Sequence, residues 1–131
     1  GILRNEYGAP RDRRIEQITV EQLLTHTCGG WPNKGRDPMF SNPDFDQRRL
    51  IAWTLANVPL DHAPGTAYAY SNFGYCLLGR IIEQATGKSY EDAAKQLVLA
   101  PAGVSRAAVL PDGGIRLAAE NPVFVAWGPD A

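Results

Sequence analysis

Apolar positions recur at helical spacing in four stretches of this chain, and between them the sequence is broken by Gly, Pro, Asn and Asp. Thr19-Val20-Glu21-Gln22 has the Thr-x-x-Gln form of a capping box, and Val20, Leu23 and Leu24 supply an apolar face. Together they predict a helix of about two turns over residues 20–26, ended by Gly29-Gly30. Residues 31–42 are rich in Gly, Pro, Asn and Asp and read as a long surface loop. Asn42-Pro43 then offers an N-cap followed by proline at the first helical position. Phe45, Arg49, Leu50, Trp53 and Leu55 carry that helix to about residue 56, and Pro59 forbids further extension.

Leu77, Leu78, Ile81, Ile82 and Ala85 predict the longest helix, residues 72–85, with Ser71 or Asn72 as its N-cap and Thr86-Gly87 as its stop. Ser89-Tyr90-Glu91-Asp92 opens another, with an N-cap and acids in the first turn, running to about residue 99 before Pro101. Residues 107–110 read as a short strand or as merely extended, Pro111-Asp112-Gly113-Gly114 as a turn, and residues 123–127 are apolar enough to pack somewhere. Four helices without a convincing set of alternating strands predict one mainly α domain over residues 1–131. Residues 1–17 and 111–131 are expected to be extended or loop-like, with room for one short hairpin or an extended tail.

The chemistry concentrates in residues 64–74. Pro64-Gly65 is a turn signal, residues 66–70 read as a short extended stretch, and Tyr70-Ser71-Asn72 sets a phenol, a hydroxyl and a carboxamide side by side at the loop-to-helix junction. A phenol serves as a general base only where nearby cations lower it from its ordinary value of about 10.

Three ordered blocks closely resemble the serine β-lactamase and penicillin-binding-protein-like hydrolases, in the branch of class C β-lactamases, D-Ala-D-Ala carboxypeptidases and esterases. They are Leu23-Leu24-Thr25-His26-Thr27-Cys28-Gly29-Gly30, then Pro64-Gly65-Thr66 with Tyr70-Ser71-Asn72, then residues 74–87 from Gly74-Tyr75-Cys76 to Ala85-Thr86-Gly87. The likeness runs from about residue 18 to the tail, in the family's order. It implies that this segment is the helical domain of the β-lactamase-like fold, without the α/β sheet domain that packs against it.

In that family the nucleophile is the serine of a Ser-x-x-Lys helix, and a Lys-Thr-Gly or related motif lies on a strand nearer the C-terminus. Ser41, Ser71, Ser89 and Ser105 are followed three positions later by Asp44, Gly74, Asp92 and Ala108, and the lysines stand in Lys34-Gly35-Arg36, Lys88-Ser89-Tyr90 and Lys95-Gln96-Leu97. Neither motif is in this sequence. The resemblance implies that Tyr70 matches the tyrosine whose phenol exchanges protons with nucleophile and leaving group. Asn72 matches the position whose amide bonds the lysine and the substrate carbonyl. Trp31 and Ser71 fall where the family borders its substrate cleft, although Trp31 also reads as a staple holding its loop to the core and Ser71 as a helix cap.

The implied parent is a serine acyl hydrolase acting on a small acyl substrate, a β-lactam, a D-Ala-D-Ala peptide or an ester, through an acyl-enzyme. The chain alone is expected to be inactive, lacking both the serine and the ammonium. The alternative is a stand-alone, non-catalytic binding or self-association module, dimeric through the face left by the missing α/β domain; a third reading is a split enzyme completed in trans.

Composition narrows the partners. A net charge of -1, with Arg11, Arg13 and Arg14 interrupted by Asp12 and followed by Glu16, makes no broad basic face, so nucleic acid is not an expected partner. No apolar run approaches the about 20 residues that cross a bilayer. No signal peptide is visible, relatives are often periplasmic or secreted, and a first residue of Gly is expected of a processed, excised or trimmed segment.

Neither Cys28 and Cys76 nor His26 and His62 show zinc spacing, so neither metal nor cofactor is expected. Cys28, two residues from His26, invites a thiol-nucleophile reading, against which a small packing residue is the simpler one. His26, at a predicted helix C-terminus, reads as structural, and His62 as exposed.

Overall fold

The computed structural model describes residues 2–35, 37–109 and 115–117. It is mainly helical, as the hydrophobic periodicity predicts, and divides into two compact units, residues 1–84 and 85–131.

In the first unit, α1 (Arg4–Tyr7) is followed by a 3-10 turn (Arg13–Gln17), so residues 1–17 are partly helical rather than extended or loop-like. The turn is nucleated by Asp12, whose carboxylate accepts the Arg14 amide, a capping bond too local to leave a periodic signal. Helix α2 (Val20–Leu24) carries the expected capping box, with Thr19 Oγ1 and Gln22 Oε1 each accepting the other residue's amide.

The loop expected over residues 31–42 contains α3 (Pro38–Ser41), capped by Asp37. Helix α4 (Gln47–Asn57) begins later than Asn42-Pro43 suggested, because Asp46 accepts the Arg49 amide at 2.7 Å and fixes the start there. Helix α5 (Asn72–Thr86) spans the predicted residues and begins in this unit.

The core of the first unit gathers around Ile51, Trp31 and Phe73, all almost fully buried, with Leu23, Leu55 and Leu77. The Trp31 ring meets Phe73 edge-on at 5.0 Å. Each large apolar side chain so buried stabilises the fold by about 1.5–3 kcal/mol relative to exposure. An apolar cavity of about 100 Å³ opens between the N-terminal turns and this core, with Leu3, Ile15, Ile18, Leu23 and Trp31 in its wall.

In the second unit, α6 (Tyr90–Ala94) is capped by Ser89 and widens into a π-helical turn (Lys95–Leu99). Strands β1 (Ala107–Val109) and β2 (Ile115–Leu117) pair antiparallel, Ala107 opposite Leu117, which realises the short hairpin for which the sequence left room. The turn at residues 111–114 and the apolar stretch at 123–127 lie outside the described residues.

Candidate functional site

The strip of residues 64–71 is stitched to the segment 26–33 by alternate main-chain bonds. Gly65 N–H donates to Thr27 O at 2.8 Å, Ala69 N–H to His26 O at 2.9 Å, and Asn33 N–H to Tyr70 O at 3.0 Å. Gly65 has φ +83, so the turn favours glycine for its conformation; a Cβ there would come within 2.9 Å of Gln22 Nε2, the end of a side chain that can shift.

His26 and Trp31 also sit in the left-handed region, at φ 57 and φ 55. For such residues that conformation costs about 1–3 kcal/mol and persists only where the surroundings over-determine it. At His26 they do: its Nδ1 accepts the Ser71 amide at 3.1 Å, and its ring lies 4.4 Å from the Tyr70 ring and 4.9 Å from that of Tyr75.

Ser71 is 1% exposed, and its Oγ accepts the Gly74 amide at 3.0 Å. It is the cap of α5, and its hydroxyl is spent inside the chain rather than offered to a cleft. Asn72 is held from the loop before α3: Asn33 Oδ1 accepts its backbone amide at 2.9 Å, and Asp37 Oδ2 accepts its side-chain Nδ2 at 3.2 Å. Asp37 divides its carboxylate, since Oδ1 caps α3 through the Met39 amide at 2.9 Å. With its amide nitrogen so engaged, Asn72 retains Oδ1 as an acceptor.

Tyr70 is 54% exposed, and among the described residues its hydroxyl makes no hydrogen bond. Of the four sequence-derived candidates, then, Tyr70 presents a polar end to solvent and Asn72 stands two residues away on the first turn of α5. Trp31 is 1% exposed, its Nε1 donating to Val58 O at 3.3 Å; it staples the loop to the core, because Phe73 and Leu77 of α5 and Leu55 of α4 close over it. Neither Trp31 nor Ser71 forms an open rim.

Asn33 and Asp37 were not singled out by sequence, lying in what read as a plain loop. The signal present was Asp37-Pro38, a cap with proline at the first helical position.

Cys28 is buried, its thiol donating to Gly30 O at 3.4 Å, and burial pushes it up, away from the thiolate a nucleophile needs; Cys76 is raised by burial as well. Packing is what the structure supports for both. His62 uses its amide to bond Gly29 O at 2.8 Å. Among the described residues no group of three or more His, Cys, Asp or Glu is gathered where a metal ion could be held, and no helix is long and apolar enough to cross a membrane.

The chain belongs to the Beta-lactamase family, whose model matches residues 7–119. It is 39% identical over 93 residues to the probable fimbrial assembly protein FimD, serogroup H1, of Dichelobacter nodosus, an alignment covering 69% of this chain and 23% of that protein. It is 31% identical over 99 residues to penicillin-binding protein 4 of Amycolatopsis lactamdurans, covering 76% of this chain and 25% of that one. Among solved structures, the D-stereospecific amidohydrolase from Streptomyces sp. superposes with a TM-score of 0.61 at 27% identity, over 82% of this chain and 35% of that one. The chain thus spans about a quarter of the length of the curated relatives it matches.

Proposed function

We propose that this chain is the helical lobe of a β-lactamase-like serine acyl hydrolase, and that Tyr70 and Asn72 are its contribution to the active site. The observation that carries this is the Tyr70–Asn72 junction itself: an exposed phenol whose ring lies 4.4 Å from that of His26 at a 35° tilt, followed two residues on by a carboxamide whose nitrogen is held by Asp37 and whose oxygen accepts no hydrogen bond among the described residues.

In the whole enzyme the phenol takes the proton of the attacking serine and returns it to the leaving group, while Asn72 Oδ1 accepts from the lysine ammonium. That lysine also supplies the positive charge that lets a phenol act as a base near neutral pH. The substrate is a small acyl compound: a β-lactam, a D-Ala-D-Ala-type peptide or an ester.

This sequence holds neither Ser-x-x-Lys nor Lys-Thr-Gly, so it lacks the lysine-paired serine that the family acylates and the lysine that accompanies it. We therefore expect the purified 131-residue chain to show no Tyr70→Phe-sensitive turnover of nitrocefin, a fluorescent penicillin or p-nitrophenyl acetate, and no penicilloyl adduct by intact mass. An adduct, or turnover abolished by Tyr70→Phe, would overturn the claim of inactivity. In a protein carrying both flanking motifs around this segment, Tyr70→Phe should lower kcat by about 10²-fold or more, the range typical of a lost general base. An unchanged kcat would sink the role given to Tyr70.

A further inference from the structure

We propose that His26 is the positioning residue of Tyr70: its neutral imidazole accepts the Ser71 amide on Nδ1 while its ring supports the Tyr70 ring, so one side chain sets both the backbone and the azimuth of the phenol. The functional half of this rests on the proton-shuttling role of Tyr70 proposed above; the positional half does not.

Residue 70 is bracketed by His26 from both sides along the chain. The His26 carbonyl accepts the Ala69 amide at 2.9 Å, and Nδ1 accepts the Ser71 amide at 3.1 Å. Between these two anchors the rings lie 4.4 Å apart with a 35° tilt. An exposed tyrosine free of such ties samples several χ1 wells, whereas a proton-transfer group must be held near one geometry.

His26 reaches this place only by taking φ 57, a conformation that a non-glycine residue adopts at a cost, which is the mark of a side chain held by its partners. Tyr75 of α5 completes the support. Its ring is 4.9 Å from the imidazole, nearly parallel at 27°, and its hydroxyl donates to Leu24 O at 2.9 Å, on the helix that leads into His26.

The protonation state follows from the bond. A nitrogen that accepts an N–H must carry a lone pair, so the ring proton resides on Nε2. In the imidazolium Nδ1 also bears a proton, which would face the Ser71 N–H donor to donor, and the anchor is lost. The rings recorded against the imidazole are those of Tyr68 and Tyr70 from the strip and Tyr75 from α5.

The test is NMR on the labelled 131-residue chain. Long-range 1H–15N spectra should show the Nε2–H tautomer. Asparagine tolerates the left-handed conformation and offers an acceptor, so His26→Asn should keep Ser71 amide protection while the Tyr70 ring signals shift to solvent-averaged positions. His26→Phe should do the reverse, retaining the ring contact while Ser71 amide exchange rises about fivefold, the effect of one lost hydrogen bond. An Nδ1–H tautomer in the unsubstituted chain, or Tyr70 ring signals unmoved in His26→Asn, overturns the proposal. Should either variant fail to fold, the tautomer of the unsubstituted chain decides it alone. If the Nε2–H tautomer holds while Tyr70→Phe leaves a motif-complete protein fully active, the proton shuttle is wrong and the positional role of His26 stands.

Discussion

At the scale of single residues, the site is built from positions whose backbone is constrained more tightly than their chemistry. Gly29 is the sharpest case: it has φ +99, and a Cβ added there would lie 2.3 Å from the His62 carbonyl oxygen. That carbonyl belongs to main chain and cannot swing aside as a side chain would. Gly29→Ala is therefore expected to combine a positive-φ penalty with a steric one. Gly35→Ala, at φ +86 with nothing within 4 Å, carries only the first. The first penalty exceeds about 1 kcal/mol, so urea unfolding followed by circular dichroism should show Gly29→Ala losing at least about twice the stability of Gly35→Ala. Equal losses would mean that the His62 turn yields easily. The two cysteines belong at this scale as well: their burial, which raises both thiols, leaves them as packing groups despite the sequence proximity of Cys28 to His26.

At the scale of elements, caps decide where helices begin. The Thr19 and Ser89 caps were legible because a hydroxyl residue stands directly before an apolar or acidic first turn, and each side chain accepts the expected amide. Helix α4 is the instructive miss. Asn42-Pro43 has a well-formed start signal, but Asp46, four residues on, makes the capping bond, while Asn42 ends α3. Two caps of comparable strength within one turn cannot be ranked by propensity alone, since each is worth only about 0.5–2 kcal/mol and packing chooses between them. Asp46→Ala should cost about 1 kcal/mol in unfolding free energy. Asn42→Ala should leave the α4 amides as protected from hydrogen exchange as before, and loss of their protection would restore the earlier start. The same ambiguity hid Asn33 and Asp37, whose side chains reach Asn72 across more than thirty positions of sequence.

At the scale of the folded unit, an ionic clasp ties the N-terminal turns to the segment that leads into the strip. Asp12 Oδ2 accepts from Arg14 at 2.7 Å and from the Leu60 amide at 3.0 Å, and Arg14 also donates to Leu60 O at 2.7 Å. The Arg14 guanidinium, aided by the Leu60 and Arg14 amides against a smaller opposing effect of burial, holds the Asp12 carboxyl well below the usual carboxylate range. Because the folded state binds that proton less readily than the unfolded chain, whose aspartates titrate near about 3.9, the clasp contributes fully above that pH and is lost as the pH falls through the lower folded value. Through this clasp, thermal melts should accordingly fall below about pH 4. Asp12→Asn should start lower at neutral pH and fall less steeply in acid; identical acid slopes in the two proteins would assign the loss to other carboxylates.

The sequence by itself determined the mainly helical character, the placement of α2, α5 and α6, the family and the Tyr70-Ser71-Asn72 junction, because amphipathic period, capping pattern and motif order are properties of near neighbours. Only tertiary structure decided which of those polar groups faces outward. It drew Trp31 and Ser71 inward, left Tyr70 half in solvent, and brought His26 from forty-five positions away to bond the Ser71 amide and set its ring against the phenol. Exposure and long-range hydrogen bonding depend on what closes over a residue from distant parts of the chain, and no local pattern encodes that.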